Sequence, residues 1–209
     1  MSKRPPPIST YDDVSWDYVC NNRIMTFNWK EQVPDQYLID AIIDDVHNFA
    51  PSKQRRTRYN IDVIANYANK DRKLAIYATT HAHKVIRPVT RYNPQVLAPW
   101  LLMFSIRHES NIDGRPDLKY ENEAWLDIGI ASQQVMLSTV SKGLAAGCCA
   151  CIQDRETIKE ITGNDPVLFI GIGYKNNAEK YYCPIKKSYE LLPNEQSPKP
   201  NKNDYVTYL

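Results

Sequence analysis

Residues 121–151 read ENEAWLDIGIASQQVMLSTVSKGLAAGCCAC, and this stretch decides the fold. Acidic residues open it, a long apolar segment follows, and a glycine-punctuated run of small residues closes it. Trp125, Ile128, Ala131, Val135 and Val140 recur every three to five residues, the spacing of one helix face. Ile130, Met136, Leu137 and Leu144 widen the stripe until almost every face is apolar, which predicts a helix at the centre of a domain. The small residues 145–150 are read as a turn whose backbone approaches a flat ligand or another chain closely.

The bulk properties bound what surrounds that helix. A chain of 209 residues and 24.1 kDa makes one domain, or one domain with an arm. Its 43% hydrophobic and 11% aromatic residues are those of a globular protein with a true core. A net charge of +2 argues against a dedicated nucleic-acid binder. The opening MSKRPPPIST has no apolar leader core, and no run approaches the roughly 20 apolar residues that cross a bilayer. Five cysteines, an odd number, are expected as reduced thiols. A cytoplasmic protein with no membrane partner is therefore expected.

Taken in order, residues 1–20 are expected to form a tail or arm, with a short helix over 12–21 carrying Trp16 and Val19 on one face. Val33-Pro34 is expected to open a helix with proline in its first turn and Asp35 at the positive end of the dipole. Leu38, Ile39, Ile42, Ile43 and Val46 are its apolar stripe. The basic run KQRRTR at 53–58 leads into a strand in which Tyr59, Ile61, Val63 and Ala65 alternate. KLAIYATT at 73–80 reads as a second strand. PWLLMFSI at 99–106 reads as a third, covered on both faces. DRETIKEITG is a short helix with Asp154 as its N-cap and Gly163 past its end. PVLFIGIGY at 166–174 is another buried strand. The order predicts an α+β domain over 21–192, with one sheet and a central helix, and a C-terminal arm over 193–209.

Six of these segments, in this order, resemble the nitroreductase family. VPDQYLIDAIIDDVHNFAPS resembles its early helix ending in Ala-Pro-Ser, and YNIDVIA the strand that follows. QVLAPWLLMFSI resembles its Ala-Pro turn and strand, and DIGIASQQVMLSTVSKGLAAG its central dimer helix. PVLFIGIGY resembles the strand ending in Gly-Tyr, and PIKK falls where the family has a basic pair. The resemblance spans roughly residues 20–190. It implies a mixed or antiparallel sheet flanked by helices, in an intertwined homodimer whose C-terminal arm packs on the partner subunit. It also implies one FMN per interface site and ping-pong transfer from NAD(P)H to a small acceptor, such as a nitroaromatic or quinone. The cofactor carries that chemistry while the protein supplies position and electrostatics.

The resemblance also implies site residues. The family's phosphate grip, Arg-Arg/His-Ser-x-Arg/Lys-x-Phe, falls on Asn21, Asn22, Arg23, Ile24, Met25, Thr26 and Phe27. Three cationic positions are therefore Asn21, Asn22 and Met25, while Arg23 stands at the serine position. Arg23, Lys186 and Lys187 are the expected phosphate cations. The family's Pro-Ser-x-x-Asn falls on Pro51, Ser52, Lys53, Gln54 and Arg55, expected against the isoalloxazine ring. Arg55 donates hydrogen bonds where the family asparagine both donates and accepts. The turn from Gly147 to Cys151, with Gly147, Cys148 and Cys149 against the cofactor, is expected to offer a backbone N–H to flavin N5.

Cys148, Cys149 and Cys151 are too closely spaced for a usual zinc site and are read as wall material, so no metal is expected. His81 and His83 read as surface histidines. Hydride transfer depends chiefly on alignment, so no catalytic side chain is nominated. Asn21, Asn22, Met25 and Arg55 motivate a second reading: a nitroreductase-like scaffold without redox turnover that binds a nucleotide or a protein.

Overall fold

A computed structural model describes residues 14–52, 56–80, 92–107, 118–150, 152 and 154–192, the side chains of 66–69 and 118–119 apart. The expected arm over 193–209 and most of the expected N-terminal tail lie outside these residues. Helix α1 spans Trp16–Asn22, capped where Ser15 Oγ accepts from the Tyr18 N–H at 3.1 Å. Its expected apolar face is split: Val19 is buried, whereas Trp16 is 67% exposed.

Helix α2 spans Gln36–Phe49. Pro34 precedes this helix instead of entering its first turn, and Asp35 is the N-cap, without a side-chain capping bond. Leu38, Ile39, Ile42 and Val46 are buried, at the helical spacing read from the sequence.

Four strands, β1 (Tyr59–Ala65), β2 (Trp100–Ile106), β3 (Ala145–Cys149) and β4 (Pro166–Gly173), form a sheet in the order β1-β2-β4-β3. Every neighbouring pair is antiparallel, with Ile61 opposite Phe104, Leu102 opposite Ile170 and Gly147 opposite Gly171. Helix α2 and the long helix α4 (Leu118–Ser141) cover one face, where Ile39, Ile42, Trp100, Leu102, Ile128, Val135 and Ile170 pack together. Helix α3 (Asn66–Thr79), helix α5 (Arg155–Thr162) and a 3-10 turn at Pro94–Leu97 cover the other, around Ile76, Val96, Leu101, Met103, Ile158 and Phe169. Strand β2 is buried on both faces because it lies between these layers, as its continuous apolar run implied.

Two sequence expectations need correction. Residues 73–80 belong mainly to α3, not to a strand. Lys73, Ile76, Tyr77 and Thr80 are all buried, a spacing of three, four and seven that only a helix brings to one face. A short apolar run fits both periods, and the prolines beyond it gave no warning. The small-residue segment is likewise strand β3 and not a turn; the turn is at Gly143, with φ of +71°. A Cβ on Gly147 would lie 2.1 Å from the Thr26 carbonyl oxygen and 2.8 Å from Gln95 Nε2. One on Gly171 would lie 2.2 Å from the Gln95 carbonyl oxygen. The close approach is thus to the chain's own segments, on the α3 side of the sheet.

The short helix α5 has the predicted ends, with Asp154 Oδ1 accepting from the Thr157 N–H at 3.0 Å and Gly163 left-handed. A separate hairpin, β5 (Lys180–Cys183) and β6 (Ser188–Leu191), puts residues 184–187 in its turn. Asn28 ties it to the domain by donating through Nδ2 to the Ala178 and Lys180 carbonyls at 3.0 and 2.9 Å.

Candidate functional site

The segment leaving α1 runs along the outer edge of β3. Arg23 is the C-cap of α1, its N–H donating to the Val19 carbonyl at 3.0 Å. Thr26 N–H then donates to the Ala146 carbonyl at 3.1 Å. Met25 Sδ accepts from the Cys148 N–H at 3.4 Å and from Gln95 Nε2 at 3.9 Å. Farther on, Trp29 forms a bridge to Lys175 and donates through Nε1 to the Pro94 carbonyl at 3.1 Å. The exposed backbone edge of β3 is thereby satisfied by residues 25 and 26, as an uncovered strand edge requires.

This geometry brings Arg23, Met25, Gly147 and Cys148 into one place. Cys148 Sγ lies 4.0 Å from Met25 Sδ. Burial raises the Cys148 pKa, and the nearby Arg23 guanidinium opposes that rise. The thiol therefore stays protonated near neutral pH and serves as an uncharged wall. Among the described residues, no group of three or more His, Cys, Asp or Glu is arranged to hold a metal ion. Cys151, His81 and His83 lie outside the described residues.

The N–H groups of β3 restrict what the strand can offer a ring. Cys148 gives its N–H to Met25, and strand alternation turns those of Gly147 and Cys149 inward to β4. Within the stretch expected to face flavin N5, the Cys148 N–H is thus already engaged. The next outward position is Ala150, an exposed residue just past the strand. Sequence reading named the whole stretch from Gly147 to Cys151, Ala150 included, because only pairing distinguishes alternate N–H groups. It missed Gln95, which is 2% exposed and touches both Met25 and the Gly147 backbone position.

The other expected site residues are dispersed or engaged. Asn21 is exposed, and Asn22 Nδ2 donates to the Tyr18 carbonyl of its own helix at 2.9 Å. Pro51 is exposed, while Ser52 Oγ accepts from the Thr57 N–H at 3.2 Å, just ahead of β1. Lys53, Gln54 and Arg55 lie outside the described residues. At the end of the same basic run Arg58 turns inward, 1% exposed, with NH2 at 2.8 Å from Glu123 and NH1 at 3.3 Å from Asp127. Lys186 Nζ pairs with Glu190 at 2.6 Å and lies 5.9 Å from the Tyr92 ring centroid. Lys187 is exposed in the hairpin turn with φ of +51°.

A groove of about 410 Å³ opens between residues 27–31 and the hairpin, lined in part by Phe27, Trp29, Leu97, Lys180 and Tyr182. No helix among the described residues is long and apolar enough to cross a membrane.

The fold has close counterparts. A nitroreductase family protein from Clostridium novyi NT is 20% identical, with 78% of this chain and 87% of that chain covered and a TM-score of 0.61. The FMN-dependent nitroreductase NfnB from Mycobacterium smegmatis, solved with NADPH, is 12% identical, with 92% and 97% covered and a TM-score of 0.63. The FMN and NADPH-dependent nitroreductase NfnB from Sphigopyxis sp. strain HMH is 15% identical, with 94% and 99% covered and a TM-score of 0.64. No curated protein sequence matches the chain. At these identities the solved structures speak for the fold. The family model described as the nitroreductase family matches residues 28–174, most of the chain, from the segment along β3 through the end of β4, and the chain belongs to that family.

Proposed function

We propose that this protein is a flavin-dependent NAD(P)H oxidoreductase that reduces a small acceptor, such as a nitroaromatic or quinone, by ping-pong turnover. Membership of the nitroreductase family supports the general oxidoreductase reading. The FMN and NADPH dependence of the Sphigopyxis enzyme supports the cofactor pair. The observation that carries the reading to this chain is the single strand edge where Arg23, Met25, Gly147 and Cys148 meet. When bound, FMN supplies the hydride chemistry.

The chain's residues have distinct tasks in this reading. Arg23 offers positive charge beside the strand, which favours a ring that becomes anionic. Protonated Cys148 keeps the adjoining wall neutral. Ala150 directs its N–H at the ring. Pro51, Ser52, Lys53, Gln54 and Arg55 are proposed against the ring, and Lys187, with Lys186 held by Glu190, toward the phosphate end of the flavin. No side chain acts as acid or base, because alignment supplies most of the acceleration.

The assembly is a cytoplasmic homodimer of a 21–192 domain, with the 193–209 arm on the partner subunit. Trp125 and Leu126 of α4, 42% and 60% exposed, and Phe49 of α2, 66% exposed, supply the apolar surface for that contact.

A second reading, a binding module without redox turnover, is favoured by the internal engagement of Asn22 and Met25. The visible spectrum of the purified protein separates the two. The oxidoreductase reading expects a flavin absorbance that NADH or NADPH bleaches anaerobically. A colourless protein that takes up no added FMN would sink it.

A further inference from the structure

We infer that this site recognises the flavin ring but not its phosphate, so that riboflavin and FMN bind with nearly equal affinity. The inference rests on the flavin reading above and concerns how that same site selects its ligand. A terminal phosphate is a dianion, and tight recognition requires charge-assisted donors grouped around it. Each such bond changes affinity roughly 10- to 150-fold.

The side chains at the positions that the resemblance assigns to those donors are neutral or already engaged. Met25 offers a thioether, which has no proton to donate, and its sulfur already accepts from the Cys148 N–H and Gln95. The Asn22 amide is bonded to the Tyr18 carbonyl. Lys186 is neutralised by Glu190. Among the described residues at these positions two cations remain, Arg23 at the end of α1 and Lys187 in the β5–β6 turn, on separate elements of the fold. Separated cations, one half-buried and one exposed, attract a phosphate weakly, and salt screens that attraction. By contrast, the wall at Ala146, Cys148 and Met25 is uncharged and joins the apolar core under α4, which suits a flat ring.

The test is a pair of fluorescence titrations of the full-length protein, stripped of bound flavin, with riboflavin and with FMN at low and high salt. The expected dissociation constants agree within about tenfold, and their ratio changes little with salt. FMN binding tighter by about 100-fold or more would overturn the inference while leaving the flavin reading standing. Binding of neither ligand would overturn both.

Asn22→Arg provides a gain-of-function check at an exposed position, where it removes one bond to the Tyr18 carbonyl and leaves the core untouched. The added guanidinium is expected to tighten FMN roughly tenfold and leave riboflavin unchanged. Met25→Lys tests the same slot, with thermal melting confirming that it folds. An unchanged FMN-to-riboflavin ratio in folded samples of both variants would count against the inference.

Discussion

Two regions of this molecule treat charge in opposite ways. Beneath α4, Arg58 is buried with Glu123 and Asp127, lies over Tyr120 at 5.6 Å, and its backbone N–H also donates to Asp127 Oδ2 at 3.4 Å. At the end of α1 and along the edge of β3, neutral Asn22 and Met25 satisfy the chain's own backbone, at Tyr18 and Cys148. Beneath α4 charge serves the scaffold, while the side chains that close the β3 edge are neutral. A buried ion needs fixed partners and so records a structural role. A ligand-facing ion is left open until the ligand arrives.

Breaking the internal cluster should produce the largest effect. Asp127→Ala leaves Arg58 buried with part of its charge unmatched, and is expected to cost about 3–5 kcal/mol in urea unfolding. A loss below about 1 kcal/mol would show that Glu123 alone carries the cluster.

Next comes the packed edge of β3. Gly147→Ala drives a Cβ to 2.1 Å from the Thr26 carbonyl oxygen, so the strand or the 25–26 segment must move. The expected loss is about 1–3 kcal/mol, with weaker flavin retention because Met25 and Cys148 shift together. A variant that melts like the parent would mean that this edge tolerates rearrangement.

Lys73 extends the comparison to a buried charge that has a carbonyl partner. Its Nζ donates to the Ala98 carbonyl, and burial lowers its pKa from 10.5 to about 7. From about pH 7 to 10.5 the unfolded state holds a proton that the folded state has released. Stability should therefore rise with pH through that window. Lys73→Met removes the rise and is expected to lift the melting temperature at pH 7 by roughly 3–8 °C. Thermal melts at pH 7 and 9 check both statements, and a parent with no difference between them would contradict the sign.

The smallest effect is expected at the ligand edge itself. Arg23→Ala should weaken FMN retention about threefold, more than Lys180→Ala does. Equal retention in the two variants would remove Arg23 from the site.

Much of the scaffold was legible without coordinates. Ile128, Ala131, Val135 and Val140 announced α4 by period, and all four are buried. Asp154 and Gly163 bounded α5 correctly because caps are local interactions. Lys73, Ile76 and Tyr77 misled because an eight-residue window fits either period, and the buried lysine disguised a helix face as a strand end.

The candidate site was less legible. Arg23, Met25, Gly147 and Cys148 were each singled out, yet their meeting depends on a pairing across more than 120 residues. Gln95 carried no local signal, since its importance comes only from where Gly147 leaves room.

By itself, then, the order of amino acids determined the helix at the centre, the strand buried on both faces and the family to which the chain belongs. These follow from periodicity and local capping, which act over a few residues. Tertiary structure alone decided that Arg58 turns inward, that Lys186 is held by Glu190, and that Met25 covers the Cys148 N–H. Residue type states what a side chain can bond to. Only the fold decides which of those bonds is made first and which groups are left for a ligand.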